Sequence, residues 1–377
     1  MPSPTGSILK QPRLLLIIAS LFLASCVITL GAYTRLKNAG LSCPDWPGCY
    51  GSISVPEKQI HIDQANALYP ERPVEPEKAW AEMIHRYFAG ALGSVIFAIF
   101  IATLISRHKK STAAFTSANT PWFNRPITSQ KPSLMLPAFL TLLVTFQALL
   151  GKWTVTLGLF PTVVTSHLIA GFSTFALLVL LFAQSYDLTQ FSQKNIFTLS
   201  KPRAKSKRIF CVIGMLLVTL QTALGGWTAS NYAGLACTTL PICDGAWWQS
   251  LEFTEAFRLF GHQSQAYEYA QHLSFDAKKT IHVFHRFGAI IVTLYVSWLL
   301  LSLFQICNRG TLMGALLSKS ILFCGLLLMT QVGLGVANIV YQMPLGVAVL
   351  HNANGALLFS SLLLVTFLFF RCTKSVQ

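Results

Sequence analysis

The chain has 377 residues, of which 53% are hydrophobic and only 11% are charged. Soluble domains carry roughly 25% charged residues, so this composition excludes an ordinary water-soluble protein. The formal net charge is +15, but the basic residues lie in the gaps between long apolar runs. The basic excess therefore indicates membrane topology, and it disfavours nucleic-acid binding.

Eight apolar runs predict membrane-crossing α-helices, because each has about the 20 residues that span a hydrocarbon core. Helices are favoured since lipid offers no hydrogen-bond partners to free backbone groups. The predicted fold class is an all-α integral membrane protein with eight transmembrane helices. In chain order the runs are Leu14–Thr34, Met83–Ser106, Leu134–Val155, Thr162–Ala183, Ile209–Thr228, Ile281–Ile306, Leu316–Val340 and Gly346–Phe370.

The distribution of charge predicts that both termini are cytoplasmic. This orientation puts the basic cluster Lys201–Arg208 inside, and of the 13 acidic residues only Asp187 falls on the same side. Leu23–Cys26 resembles a lipoprotein cleavage site. We nevertheless expect an uncleaved first helix, because the apolar run continues to Leu30 and its removal would break the internal repeat.

The sequence repeats one unit twice, in the same order and orientation. We therefore predict two tandem, pseudo-symmetric four-helix bundles, residues 1–185 and 209–377, joined by a cytoplasmic linker of residues 186–208. The matching features are Ala39–Cys43 with Ala233–Cys237, Cys49 with Cys243, His85-Arg86 with His285-Arg286, Gln147-x-x-x-Gly151 with Gln331-x-x-x-Gly335, and His167 with His351.

Four histidines are expected inside the outer third of the even-numbered helices: His85, His167, His285 and His351. A polar ring is unfavourable in lipid unless it has a partner. Two imidazoles that face each other across a helix bundle suit axial ligation of a heme iron. We predict one site from each repeat, His85 with His167 and His285 with His351. The remaining histidines, His61, His108, His262, His272 and His282, are expected in loops.

Charged residues beside these histidines leave alternatives open. Arg86 and Arg286 either pair with heme propionates or simply extend to the membrane surface. Glu82 precedes His85 by one helical turn, whereas the second repeat has His282 at that place. The carboxylate either moves protons or caps the start of the helix.

Four cysteines are predicted on the outer side: Cys43, Cys49, Cys237 and Cys243. Disulfides within each loop are favoured by proximity, although sequence alone leaves the pairing open. A metal site and a redox-exchange role are the alternatives. The other five cysteines are read as buried or cytoplasmic thiols.

Five segments resemble the heme A synthase family, and the resemblance covers essentially the whole chain. They are Gly31–Gly51, Glu82–Arg86, Thr165–His167, Val283–Arg286 and Leu350–Gly355. The first is specific to the family, while the His-Arg pairs would be weak alone. The paired loop cysteines match a subset of its members.

The resemblance implies an enzyme that oxidises the C8 methyl group of heme o to a formyl group, giving heme a for terminal oxidase assembly. Successive hydroxylations with water as the oxygen source are implied. His85 and His167 would bracket the substrate heme, with Glu82 as catalytic acid, while His285 and His351 would hold a heme b cofactor. The implied location is the bacterial inner membrane, with the heme sites toward the periplasm.

The implied partners are heme o, delivered by a heme O synthase, and membrane lipid. The electron acceptor stays unidentified and a homo-oligomer stays open. Two other functions compete with the synthase: a diheme b-type cytochrome that carries electrons without porphyrin chemistry, and a heme transporter. A prenyl-transferring heme O synthase is disfavoured, because no paired Asp-rich motif is present.

Overall fold

A computed structural model describes residues 12–108, 133–185, 197–260, 273–307 and 311–376. Ten α-helices and two short strands lie in these ranges: α1 Pro12–Leu36, α2 Gln59–Leu68, α3 Pro76–His108, α4 Met135–Thr156, α5 Pro161–Ser185, β1 Phe197–Ser200, α6 Lys201–Ser230, α7 Phe253–Ala256, α8 Phe275–Ile306, α9 Leu312–Val340, α10 Leu345–Cys372 and β2 Thr373–Val376. A 3₁₀ turn covers Trp247–Ser250.

Within the described ranges, eight helices are long and apolar enough to cross a membrane, so the predicted count is confirmed. They are α1, α3, α4, α5, α6, α8, α9 and α10. The short strands β1 and β2 pair in parallel and lie outside these spans. The all-α membrane class therefore stands.

Several helices begin earlier than their apolar runs. Helix α3 begins at Pro76 rather than Met83, α6 at Lys201 rather than Ile209, and α8 at Phe275 rather than Ile281. Proline is suited to the first turn of a helix, and the Ser274 hydroxyl caps α8 by accepting the amide of Ala277. Polar first turns thus extend the helices past the hydrocarbon boundary, and hydropathy does not detect them. The end of the predicted linker, from Lys201 to Arg208, is consequently helical.

The spanning helices form two rings of contacts. In the first ring α1 contacts α3, α3 contacts α4, α4 contacts α5, and α5 returns to α1; in the second, α6, α8, α9 and α10 follow the same order. The rings meet where α5 packs on α6 and α10, and where α10 packs on α1. The main apolar core runs through this junction and includes Ile17, Leu178, Leu299 and Phe369.

The outer loops carry small cores of their own. Cys43, Cys49, Val55 and Ala65 pack against Met83 near the start of α3. At the second loop, Ala233 and Ala256 pack with Trp227 of α6 and Ile281 of α8. Each loop is therefore packed on one end of its bundle, directly beside the first turns of α3 or α8.

Candidate heme sites

The four predicted intramembrane histidines lie on four different spanning helices. His85 is on α3, His167 on α5, His285 on α8 and His351 on α10. The structure brings His85 and His167 close enough to interact electrostatically, and His285 and His351 likewise. The histidines therefore form one pair in each ring of helices.

Each imidazole packs against a glycine on a neighbouring helix. A Cβ atom added at that glycine would meet the ring carbon Cε1 of the histidine. The distances are 2.9 Å from Gly31 to His85, 3.6 Å from Gly151 to His167, 3.2 Å from Gly225 to His285 and 3.3 Å from Gly335 to His351. A missing side chain thus leaves the space in which each ring lies. The repeated Gln-x-x-x-Gly motif marks Gly151 and Gly335 in the sequence, whereas Gly31 and Gly225 were not predicted to contact the histidines.

The chemistry of these pairs fits a heme. The Nδ1 atoms of His85, His167 and His351 are buried and have no hydrogen-bond partner, which is costly unless a ligand compensates. In the described part of the chain no three His, Cys, Asp or Glu side chains come together as a metal cluster would require. Two imidazoles in an apolar bundle can ligate a planar macrocycle from both sides, whereas a tetrahedral metal needs four ligands.

Three glycines that follow the histidines do not simply leave room for a macrocycle. Added Cβ atoms at Gly171, Gly288 and Gly355 would meet the side chains of Gln147, Gln221 and Gln331 respectively. The two glycines that follow His85 on α3 behave differently. A Cβ atom added at Gly90 would meet nothing within 4 Å, and one added at Gly93 would meet only Val144, at 3.9 Å. Side-chain packing on the glycines that follow the histidine is therefore looser on α3 than at Gly171, Gly288 and Gly355.

Glu82 connects α3 to the first outer loop. The carboxylate is buried, with 4% of the residue exposed, and its Oε2 accepts the backbone amide of Cys43 at 3.0 Å. Its Oε1 accepts from Arg86 Nη2 at 2.5 Å. Of the two alternatives for Glu82, capping of the helix start does not apply, because α3 begins at Pro76 and Glu82 lies in its second turn. Spacings of three and four residues instead place Glu82, His85 and Arg86 on one face.

Arg86 holds the first outer loop by its backbone. Its Nη1 donates to the carbonyl oxygens of Asp45 at 2.9 Å and Pro47 at 3.3 Å, and also to that of Gly48. These contacts lie within the loop that the Cys43–Cys49 disulfide closes. The guanidinium thus has a structural task of its own, and its pairing with a heme propionate stays a prediction.

In the second half, an arginine again donates to the backbone of the disulfide-closed loop, but the side chain beside that arginine is different. Arg286 donates to the carbonyls of Thr239 at 2.6 Å, Ile242 and Cys237, in the loop closed by the Cys237–Cys243 disulfide. The predicted intraloop pairing of cysteines is therefore present in both halves. As with Arg86, the propionate role of Arg286 stays a prediction.

His282 was expected in a loop, and that prediction is wrong. The residue is 4% exposed and lies inside α8, because the capped first turn moves the helix start to Phe275. Its Nδ1 faces the amide of Cys237 at 3.3 Å, and its Nε2 faces Arg286 Nε at 3.2 Å. A neutral imidazole accepts at only one nitrogen, whereas the Glu82 carboxylate accepts from both of its partners at once. The two halves therefore differ chemically at this position.

The other histidines bear little on the sites. His61 is exposed on α2 rather than in a loop, and His108 is the last residue of α3. His262 and His272 lie outside the described residues. Among the free cysteines, Cys211, Cys307 and Cys324 are buried, as expected, and Cys26 is partly buried.

Together the fold and these sites define a class, that of integral membrane proteins with two intramembrane histidine pairs suited to heme. A family model for cytochrome oxidase assembly proteins matches residues 14–363. The chain is 41% identical to the heme A synthase of Shewanella oneidensis over 351 residues, covering 93% of this chain and 94% of that relative.

More distant relatives carry the same name. Identity is 25% over 340 residues with the heme A synthase of Mesorhizobium japonicum, covering 86% of this chain and 82% of the relative. It is 24% over 366 residues with that of Agrobacterium fabrum, covering 90% and 85%. The chain therefore belongs to the heme A synthase family.

Proposed function

We propose that this protein oxidises the C8 methyl group of heme o to a formyl group and so produces heme a. The observation that carries this proposal is a difference between the two halves at one matched position, one helical turn before the first histidine of each pair. A buried carboxylate, Glu82, lies one turn before His85, whereas His282 lies one turn before His285. Proton transfer is needed where the substrate reacts and is not needed where a heme only carries electrons.

The first half, residues 1–185, binds the substrate, and the second half, residues 209–377, holds a heme b cofactor. His85 and His167 bracket heme o, and His285 and His351 ligate the cofactor iron. Bound heme b supplies one-electron redox chemistry. Converting the methyl to the formyl group adds one water oxygen and releases four protons and four electrons, which leave to an acceptor outside the chain.

Glu82 takes up protons released at the substrate. Its two oxygens are already oriented, one by the Cys43 amide at 3.0 Å and the other by Arg86 at 2.5 Å. A preoriented carboxylate contributes without reorganising during the reaction, and positioned acid–base groups are worth roughly 10²- to 10⁴-fold in rate. The disulfide-closed loop above it excludes water from the outer side of the site.

The excess of basic residues in the inner segments supports cytoplasmic termini and heme sites near the outer face of a bacterial inner membrane. The disulfides support the same orientation, because the periplasm is oxidising. Heme o is a farnesylated, membrane-embedded substrate, so a heme O synthase in the same membrane is the natural source.

The test is heme analysis of cells that make heme o but lack heme a, with and without this chain. We expect heme a, or its hydroxylated precursor, with the unmodified protein and a loss of at least 100-fold in E82Q. Glu57→Gln is the matched control, because Glu57 is an outer-loop carboxylate that accepts from Trp80 Nε1 at 3.1 Å and Gln retains that acceptor. Only heme b and unreacted heme o would favour the diheme carrier instead, whereas equal heme a in E82Q would leave the synthase and remove the proposed role of Glu82.

A further inference from the structure

A cleft of about 500 Å³ lies where the two halves of the molecule meet. Side chains of α4, α5, α6 and α10 line it, and one of them, Phe139 of α4, is exposed on the membrane-spanning surface. Among the described residues that line the cleft, only Ser166 and Ser173 of α5 are polar, and none is charged. The cleft therefore suits an apolar chain, because a polar ligand would find few partners there.

The cleft follows one face of α5 and begins beside a predicted ligand of the first heme site. Its lining on α5 extends from Ser166, the chain neighbour of His167, to Leu177. Over this distance the helix rises about 16 Å, at about 1.5 Å per residue. Spacings of four and three residues align four lining residues along the middle of this face, namely Ser166, Ala170, Ser173 and Leu177. The cleft thus extends from the level of His167 along half of a membrane-spanning helix.

The second half has larger residues on the matching face of α10. When His167 is matched to His351, the counterparts of Ser166, Ala170 and Ser173 are Leu350, Asn354 and Leu357. Both leucines are exposed, so they add bulk to the surface of that half. Along the middle of the face, the order of size reverses only farther from the histidine, where Leu177 matches Ser361. Small residues next to the histidine are therefore a property of the first half.

We propose that this cleft holds the farnesyl tail of heme o, and that Ser166, Ala170 and Ser173 are specificity-determining residues that admit a heme with such a tail. The inference rests on the proposed function, in which the first half takes heme o and the second half takes heme b, which has no farnesyl tail. An extended chain of three isoprene units is about 15 Å long at ordinary carbon–carbon bond lengths, which matches the cleft. Lipid is as apolar as the cleft, so the cleft does not attract the tail but gives it an unobstructed place beside the bundle.

The experiment fills the cleft with the residues of the second half. The full-length protein and the double variant S166L/S173L are purified from cells that make heme o, and the heme o, heme a and heme b in each are extracted and measured per protein. We expect the sum of heme o and heme a to fall at least fivefold in S166L/S173L, because two leucines obstruct the tail. Heme b should not fall, since it has no tail. The sum counts substrate and product together, so it reports binding whether or not turnover occurs.

Two further variants separate the volume of the cleft from other effects. S173A removes a hydroxyl that donates to the Ile169 carbonyl at 2.8 Å but does not fill the cleft, so the sum should be unchanged. S25L is the matched control, since Ser25 is an exposed serine of α1 whose hydroxyl donates to the Leu21 carbonyl at 2.6 Å. It should also leave the sum unchanged. The single variants S166L and S173L should each show a smaller loss than the double variant, and they serve as the test if the double variant does not accumulate.

The two proposals fail separately. A sum in S166L/S173L equal to that of the unmodified protein would overturn the inference and leave an ordinary lipid acyl chain as the occupant of the cleft, while heme a formation would still support the synthase. Loss of heme o from S166L/S173L, without heme a in any form of the protein, would support the role of the cleft and remove the synthase. An equal fall in heme b, or the same loss in S25L, would also overturn the inference, because the tail would then not be the cause.

Discussion

The glycines beside the imidazoles allow a graded test of how tightly the first-half site is built. An alanine at residue 31 would place its Cβ 2.9 Å from Cε1 of His85, whereas an alanine at residue 151 would place its Cβ 3.6 Å from Cε1 of His167. Carbon atoms pack best at about 3.5 to 4.0 Å, so His85 must move by about 0.6 Å or more while His167 need not move. The two substitutions should therefore differ sharply.

The expected magnitude follows from the cost of overpacking. Forced displacement in a packed site costs about 1 to 3 kcal/mol, which corresponds to a loss of roughly 5- to 150-fold in affinity for the first-half heme. Gly→Ala within a helix also gains about 1 kcal/mol from backbone entropy. That gain applies equally to both variants, so the difference between Gly31→Ala and Gly151→Ala reports the contact alone.

The assay extracts hemes from each purified variant and expresses heme o plus heme a relative to heme b. Because heme b marks the second half, the ratio corrects for differences in expression and folding. We expect the ratio to fall at least fivefold in Gly31→Ala and to change less than twofold in Gly151→Ala. Equal ratios in the two variants would refute the reasoning that the imidazole contact at Gly31 limits the site.

Two predictions concern the outer surface. Arg35 of α1 donates to Tyr232 Oη at 3.0 Å and to the Ala229 carbonyl at 2.9 Å, so it joins the ends of α1 and α6. Arg35→Met should therefore lower the melting temperature in detergent by about 2–4 °C. The same change at exposed Lys37 should have no effect. Burial, with Glu75 and Glu82, raises the pKa of Tyr50 above its usual value of 10.0, so the folded first loop binds this proton more tightly than the unfolded chain does. This tighter binding contributes to stability fully below pH 10, and the contribution is lost as the pH rises further. In a titration of tyrosine absorbance at 295 nm, Tyr50→Phe should remove a tyrosine that ionises above pH 10. Removal of a tyrosine that ionises at or below pH 10 would contradict this.

The features predicted correctly from the sequence are properties of the chain read in one dimension. Eight apolar runs fix the number of spans, because a helix needs about 20 apolar residues to cross the bilayer whatever its neighbours are. The duplicated spacing marked His85, His167, His285 and His351 and grouped the cysteines by loop. Gln221 has the same four-residue spacing to Gly225 that Gln147 has to Gly151, so the spacing could also have marked Gln221.

Contacts between distant segments were decided only by the tertiary structure. The amide that orients Glu82 belongs to Cys43, in a loop folded back over α3, and the partners of Arg86 are backbone carbonyls of that loop. No side-chain pattern marks a backbone acceptor. His282 likewise changed from a loop residue to a buried one when a capped polar turn lengthened α8, which hydropathy does not register. Hydrophobicity and spacing determine which residues enter the membrane, whereas the partner of each polar group depends on how the loops and helices pack.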